Sequence, residues 1–141
     1  MNVFLDSSAL AKRYLQETGS NHLDELLSSA SSLGVSVICL AEVVSAFCRL
    51  RREGKMSPSQ YLNAKRALLA DIEDCTVTDV TDQVMARAVD LLEHWPLRSS
   101  DSLHVASAAE WAADLFVSAD AGQCAAARGY GLHVAQLPSG V

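Results

Sequence analysis

Short apolar runs, separated by longer stretches of helical periodicity, constrain this chain more than any other feature. VFL at Val3–Leu5, VSVI at Val35–Ile38, TVTDV at Thr76–Val80, LFVSAD at Leu115–Asp120 and LHVA at Leu132–Ala135 read as strands. Between them the spacing predicts helices over Ser7–Glu17 and Ser20–Ser31, the second punctuated by Gly34, and from Leu40 to near Gly54. Further helices start at Ser57-Pro58 and run through YLNAKRALLADI, cover Thr81–His94 up to Pro96, and follow a cap at Ser99 or Ser100 into DSLHVASAAEWA. AGQCAAARG is a last short helix that ends at Gly129. Strands bridged by helices imply an α/β fold with a parallel sheet covered on both faces.

At 141 residues, half of them apolar and only three proline, the chain is expected to form one domain over residues 1–141 with a substantial core. It has no internal repeat, linker or low-complexity segment. No run approaches the roughly 18 apolar residues that cross a bilayer, and the N-terminus lacks a basic n-region, so a cytoplasmic protein with no membrane partner is expected. The four cysteines form no C-x-x-C pair and read as reduced core thiols.

A net charge of −6 argues against nonspecific coating of nucleic acid, though not against an enzyme that acts on it. Basic residues group at Lys12 with Arg13, at Arg49, Arg51, Arg52 and Lys55, at Lys65 with Arg66, and at Arg98. Lys65 and Arg66 read as a solvated helix face. The Arg49–Lys55 group, at a predicted helix C-terminus, suits either the helix dipole or a phosphate.

In open α/β sheets the functional crevice lies beyond the carboxyl ends of the strands. Asp6 and Asp120 both stand there, each directly before a helix that it could simply cap. Glu42 is inside a helix, where capping does not explain it, but a solvent-facing position would. Asp101 continues inward the face of Val105, Ala108 and Ala112, and its first-turn position also suits the helix dipole. Were these carboxylates to converge, each pair about 5 Å apart would repel by roughly 3 kcal/mol at an effective dielectric of 20. A divalent cation would compensate, and Mg²⁺, which prefers hard oxygen ligands and phosphate, suits phosphodiester hydrolysis.

The acids and their surroundings, LDSSAL at Asp6, LAEV at Glu42, DSLHVASA at Asp101 and SAD at Asp120, resemble the PIN-domain ribonucleases, specifically the VapC-type toxins of bacterial toxin–antitoxin pairs. The resemblance spans the chain, and DSLHVASA is its most specific piece. It implies a three-layer α/β/α fold with strand order 3-2-1-4-5 and Mg²⁺- or Mn²⁺-dependent cleavage of RNA. Asp6 and Asp101 would be the metal ligands, Glu42 and Asp120 would complete the catalytic set, and Ser7 and Ser118 would orient ligands or waters. It further implies a homodimer and a cognate antitoxin. An Arg or Lys of that antitoxin would reach Asp6, Glu42 and Asp101, beside apolar residues docked near Leu10 and Val43.

His104, one turn after Asp101, reads as a packed, hydrogen-bonded histidine, because Mg²⁺ favours oxygen over imidazole. Trp95 and Trp111 read as core or interface residues. A receiver-type signalling domain is a rival, with Asp79 or Asp82 as acceptor, but HVAQLP offers no lysine. A haloacid-dehalogenase-like phosphatase would need a second Asp where Ser8 stands. A noncatalytic PIN-like binding module is the remaining alternative.

Overall fold

The computed structural model describes residues 1–15 and 19–139. Its strands are β1 (Asn2–Leu5), β2 (Ser32–Ser36), β3 (Thr76–Thr78), β4 (Leu115–Ser118) and β5 (Val134–Gln136). Its helices are α1 (Ser7–Ala11), α2 (Ser20–Ser28), α3 (Cys39–Arg52), α4 (Pro58–Glu73), α5 (Asp82–His94), α6 (Ser99–Glu110) and α7 (Ala121–Gly129). All strand pairs are parallel, in the order β3-β2-β1-β4-β5. The three-layer architecture and the strand order are those expected.

Side chains alternate across a strand, so each central strand feeds two cores. Val3, Leu5 and Val117 pack under α1 to α4 with Leu10, Leu23, Phe47 and Leu68. Phe4 and Phe116 point the other way, into α5, α6 and α7, against Leu91, Val105 and Ala126. The order reverses at β1, which pairs with β2 on one side and β4 on the other. This switch places the ends of β1 and β4 beside each other, and the Asp6 N–H donates to the Val117 carbonyl at 3.2 Å.

Several boundaries differ from the sequence expectation, each for a local reason. The second strand lies over Ser32–Ser36 rather than Val35–Ile38, and Gly34 is inside it rather than punctuating a helix. The Trp111 indole covers this glycine so closely that a Cβ there would meet the ring at 2.8 Å. The first helix stops at Ala11 because the next N–H groups bond three residues back, Lys12 to Ala9 and Arg13 to Leu10, in the tighter 3₁₀ manner. Its expected end at Glu17 lies outside the described residues. The second helix ends at Ser28, where the Ser28 and Ser29 hydroxyls take the Glu25 and Leu26 carbonyls. Neither Ser99 nor Ser100 caps α6, since the cap is Arg98, whose N–H donates to Asp101 Oδ2 at 3.3 Å. That helix ends at Glu110, and Ala112 turns out of it with φ of 59°.

Pro58 at the first turn of α4 and the Ser57–Gln60 capping box agree with the expected start. The cysteine thiols are free; Cys39 and Cys124 are buried, Cys48 and Cys75 half-buried. Burial pushes the Cys39 thiol up to about 12. Trp95 and Trp111 are partly buried against the second core. No helix among the described residues is long and apolar enough to cross a membrane.

Candidate active site

Asp6 ends β1 with a fully buried carboxylate. Oδ1 accepts from the Ala9 N–H at 2.9 Å, which makes Asp6 the cap of α1, as its position before a helix suggested. The cap is only part of its environment. The Ser8 hydroxyl lies 2.8 and 2.9 Å from the two carboxylate oxygens, and Ser118 Oγ donates to Oδ2 at 2.6 Å. Each hydroxyl in turn accepts a backbone N–H, Ser8 from Ala119 at 3.0 Å and Ser118 from Asp120 at 2.9 Å. The peptide dipoles of the β4–α7 turn are thus relayed through two hydroxyls onto one carboxylate. Burial still raises the Asp6 pKa above the carboxylate range, against the nearby imidazole of His104 when charged and against these donors.

Glu42 is half-buried near the start of α3. Its Oε1 meets His104 Nε2 at 2.5 Å and accepts from Ser7 Oγ at 2.7 Å, while Ser7 Oγ and His104 Nε2 are 3.3 Å apart. The His104 bond, followed by the one from Ser7, holds Glu42 below the ordinary glutamate range despite its partial burial. His104 is buried, and its Nδ1 has no hydrogen-bond partner. The expected packed, hydrogen-bonded histidine is therefore present, and its partner is one of the candidate acids.

Asp101, 7% exposed, projects from the first turn of α6. Its Oδ1 accepts from Gln123 Nε2 at 3.0 Å, and its Oδ2 from Arg98 Nε at 3.2 Å. Asp120 behaves as a helix cap, with Oδ1 accepting from the Gly122 and Gln123 N–H groups at 2.8 and 3.1 Å. A cleft of about 470 Å³ opens beside this edge, bordered by Ser7, Ser8, Glu42 and Asp120 and flanked by Lys12 and Arg49. Leu10 and Val43, the expected docking points, are themselves buried. The half-buried apolar side chains of the cleft are instead Ala11, Leu15, Ala46 and Leu50.

Other basic residues have ordinary surroundings. Arg51 stacks 4.7 Å over the Tyr61 ring, and Lys65 and Arg66 are exposed. The strand order also separates this chain from a receiver domain, whose order is 2-1-3-4-5. Asp79 and Asp82 flank the end of β3, an edge strand separated from β1 by β2.

Ser8, Gln123 and Arg98 were not singled out as site residues from the sequence. Ser8 was concealed in a plain capping sequence. Gln123 left a trace, as a lone polar side chain within AGQCAAA, and Arg98 is three residues before Asp101, within one helical turn.

Residues 3–129 match the PIN domain family. The chain belongs to the PIN domain family. No curated protein matches the sequence. Among solved structures, this PIN domain is similar to a toxin–antitoxin complex from Klebsiella pneumoniae, with TM-score 0.69, 14% identity and 99% of each chain covered. It is similar to FitAcB from Neisseria gonorrhoeae, with TM-score 0.73, 14% identity, and 94% of this chain and 95% of that one covered. VapC20 of Mycobacterium tuberculosis, a sarcin-ricin loop cleaving toxin, has TM-score 0.65 at 18% identity, over 88% of this chain and 94% of that one. These identities show a shared fold.

Among the described residues of this PIN domain, no group of three or more His, Cys, Asp or Glu side chains stands arranged to hold a metal ion. The donor chemistry nevertheless fits a hard divalent cation. The candidate ligands are carboxylates, and Gln123 Oε1, buried beside Asp101, has no hydrogen-bond partner.

Proposed function

We propose that this chain is a Mg²⁺- or Mn²⁺-dependent endoribonuclease, the VapC-type toxin of a toxin–antitoxin pair. The observation that carries the reading is Asp6, a carboxylate buried at the switch point of the sheet and held by hydroxyls of Ser8 and Ser118. A bare cap would not need this. Asp6 and Asp101 would hold the cation, with Glu42 and Asp120 completing the set. The chemistry supplied by the bound ion is acidification of the attacking water and neutralisation of charge at the phosphodiester. Ser8 and Ser118 fix the Asp6 carboxylate. Ser7 and His104 fix Glu42 and keep it ionised. Arg49, exposed on the wall of the cleft, suits the backbone phosphates of RNA.

The partner is a small antitoxin, which agrees with the toxin–antitoxin complex among the similar structures. Its guanidinium or ammonium would reach Asp6, Glu42 and Asp101, beside apolar residues seated on Ala11, Leu15, Ala46 and Leu50. Met85, Val89 and Leu92 form an exposed apolar stripe at helical spacing on α5, which supports pairing with a second copy.

The deciding experiment is RNA cleavage by the purified protein with Mg²⁺ or Mn²⁺, with EDTA, and by Asp101→Asn. Cleavage is expected only with the ion and the native carboxylate. Activity that survives chelation would reject the mechanism, and inactivity with every RNA would favour a noncatalytic binding module.

A further inference from the structure

Asp101 is held from two sides by groups of different character. On the inner side Gln123 is 4% exposed and donates Nε2–H to Oδ1, while its Oε1 remains a buried acceptor with no partner. On the outer side the Arg98 guanidinium lies 3.2 Å from Oδ2 through Nε and 3.5 Å from Oδ1 through Nη2. The two ends of this pair contrast sharply: the Arg98 side chain is 81% exposed and that of Asp101 10%. The negative charges of Asp120 and Glu42 also act on the guanidinium. The guanidinium contacts one candidate acid and feels the charge of two more.

This pair is weakly held for its position. An ion pair with one partner in solvent contributes little, so the arm can leave Asp101 at small cost. The unpaired Gln123 Oε1 indicates that Arg98 does not complete the polar surroundings of Asp101, since a buried acceptor without a donor is a penalty that proteins seldom keep. A divalent cation with its water shell offers what Oε1 lacks. A guanidinium and a divalent cation would also repel, so Asp101 cannot serve both equally. The planar fork that fits a carboxylate fits a phosphate as well.

We propose that Arg98 is a substrate-contacting arm, parked on Asp101 in the cation-free protein and transferred to a backbone phosphate of RNA once Asp101 is committed to a divalent cation. The inference rests on the metal-dependent ribonuclease reading. It adds a residue that competes with the ion before substrate arrives and assists the substrate afterwards. Arg98 lies at the mouth of α6 rather than in a core, so its replacement leaves packing untouched.

The test uses Mn²⁺ titration calorimetry on the metal-free protein, Arg98→Ala and Asp101→Asn, with circular dichroism to verify folding. It also measures binding of a slowly cleaved phosphorothioate RNA in Mn²⁺ at several salt concentrations. Arg98→Ala is expected to bind Mn²⁺ about 3- to 10-fold more tightly, because a competing positive charge is gone. The slope of log affinity for the RNA against log salt should shrink by about 0.7, the value of one lost contact to a single strand. Unchanged or weaker Mn²⁺ binding by Arg98→Ala overturns the proposal, and so does an unchanged salt slope. If Asp101→Asn binds Mn²⁺ as well as the native protein does, the metal site itself is rejected, and the role of Arg98 with it.

Discussion

Glu42 and His104 meet side chain to side chain, Oε1 to Nε2 at 2.5 Å, although they come from α3 and α6 on opposite faces of the sheet. The contact can form only where the two helices reach past the sheet edge. It fixes the rotamer of Glu42 and favours its charged form.

Replacing His104 by Ala should therefore move the acid limb of the pH–rate profile upward, because the glutamate loses the bond that lowers its pKa. Cleavage at neutral pH should fall by roughly 10- to 100-fold, the usual effect of removing a group that orients a metal-site ligand. A pH–rate profile with an unshifted acid limb would show that Glu42 does not titrate in the reaction.

Asp6→Asn should abolish cleavage and stabilise the ion-free protein. The sign follows from burial. Below the ordinary value of 3.8 both folded and unfolded chains carry the proton. As pH rises the unfolded chain releases it first, so native stability falls until the pH passes the raised folded pKa, and the deficit then persists. Asn removes the deficit. Thermal unfolding at neutral pH should shift upward by roughly 2–4 °C, the scale of about 1 kcal/mol in a chain of this size. The gain should vanish near pH 3.

Ser118→Ala separates the hydroxyl relay from the carboxylate. It strips Asp6 of a donor and leaves the Asp120 N–H without its acceptor. A loss of about 1–3 kcal/mol is expected from denaturant unfolding, larger than a surface serine would give. Cleavage should fall even at temperatures where the variant is fully folded.

Gly34→Ala should destabilise the protein without touching the site. The added methyl would stand 2.8 Å from the Trp111 ring in the middle of β2, so strand or indole has to shift. Overpacking of this kind costs about 1–3 kcal/mol, and a Trp111→Leu background should relieve part of it.

The sheet was legible because its evidence is local: apolar runs of strand length, and helices between them that force parallel pairing. The position of β2 was not, since Gly34 looks like a helix stop until the indole over it, 77 residues away in sequence, is known. As candidates, Asp6 and Asp120 were legible by their place at strand ends, Asp101 by its place in a first helical turn, and Glu42 by standing inside a helix where no cap is needed. Their hydrogen-bond partners were less so. Ser7 and Ser118 are picked out only through the family resemblance and His104 by its place one turn after Asp101, but the bond from His104 to Glu42 depends on how two helices from opposite faces of the sheet end beside each other, which no local pattern encodes. Ser8 and Gln123 gave almost no local signal, because a capping serine and a helical glutamine are ordinary until folding brings a carboxylate to each.

The bond from Ser118 to Asp6 spans 112 positions of the chain. At the usual pace of synthesis, about 5–20 residues per second, roughly 6–20 seconds pass between the two leaving the ribosome. Through that interval Asp6 is an ordinary carboxylate on an unfinished sheet, with neither β4 beside it nor the hydroxyl relay above it. A nascent chain that stops short of β4 thus lacks the environment of its own first acid, and the Asp6 carboxylate acquires its full set of hydroxyl donors only once Ser118 has been made and paired into the sheet.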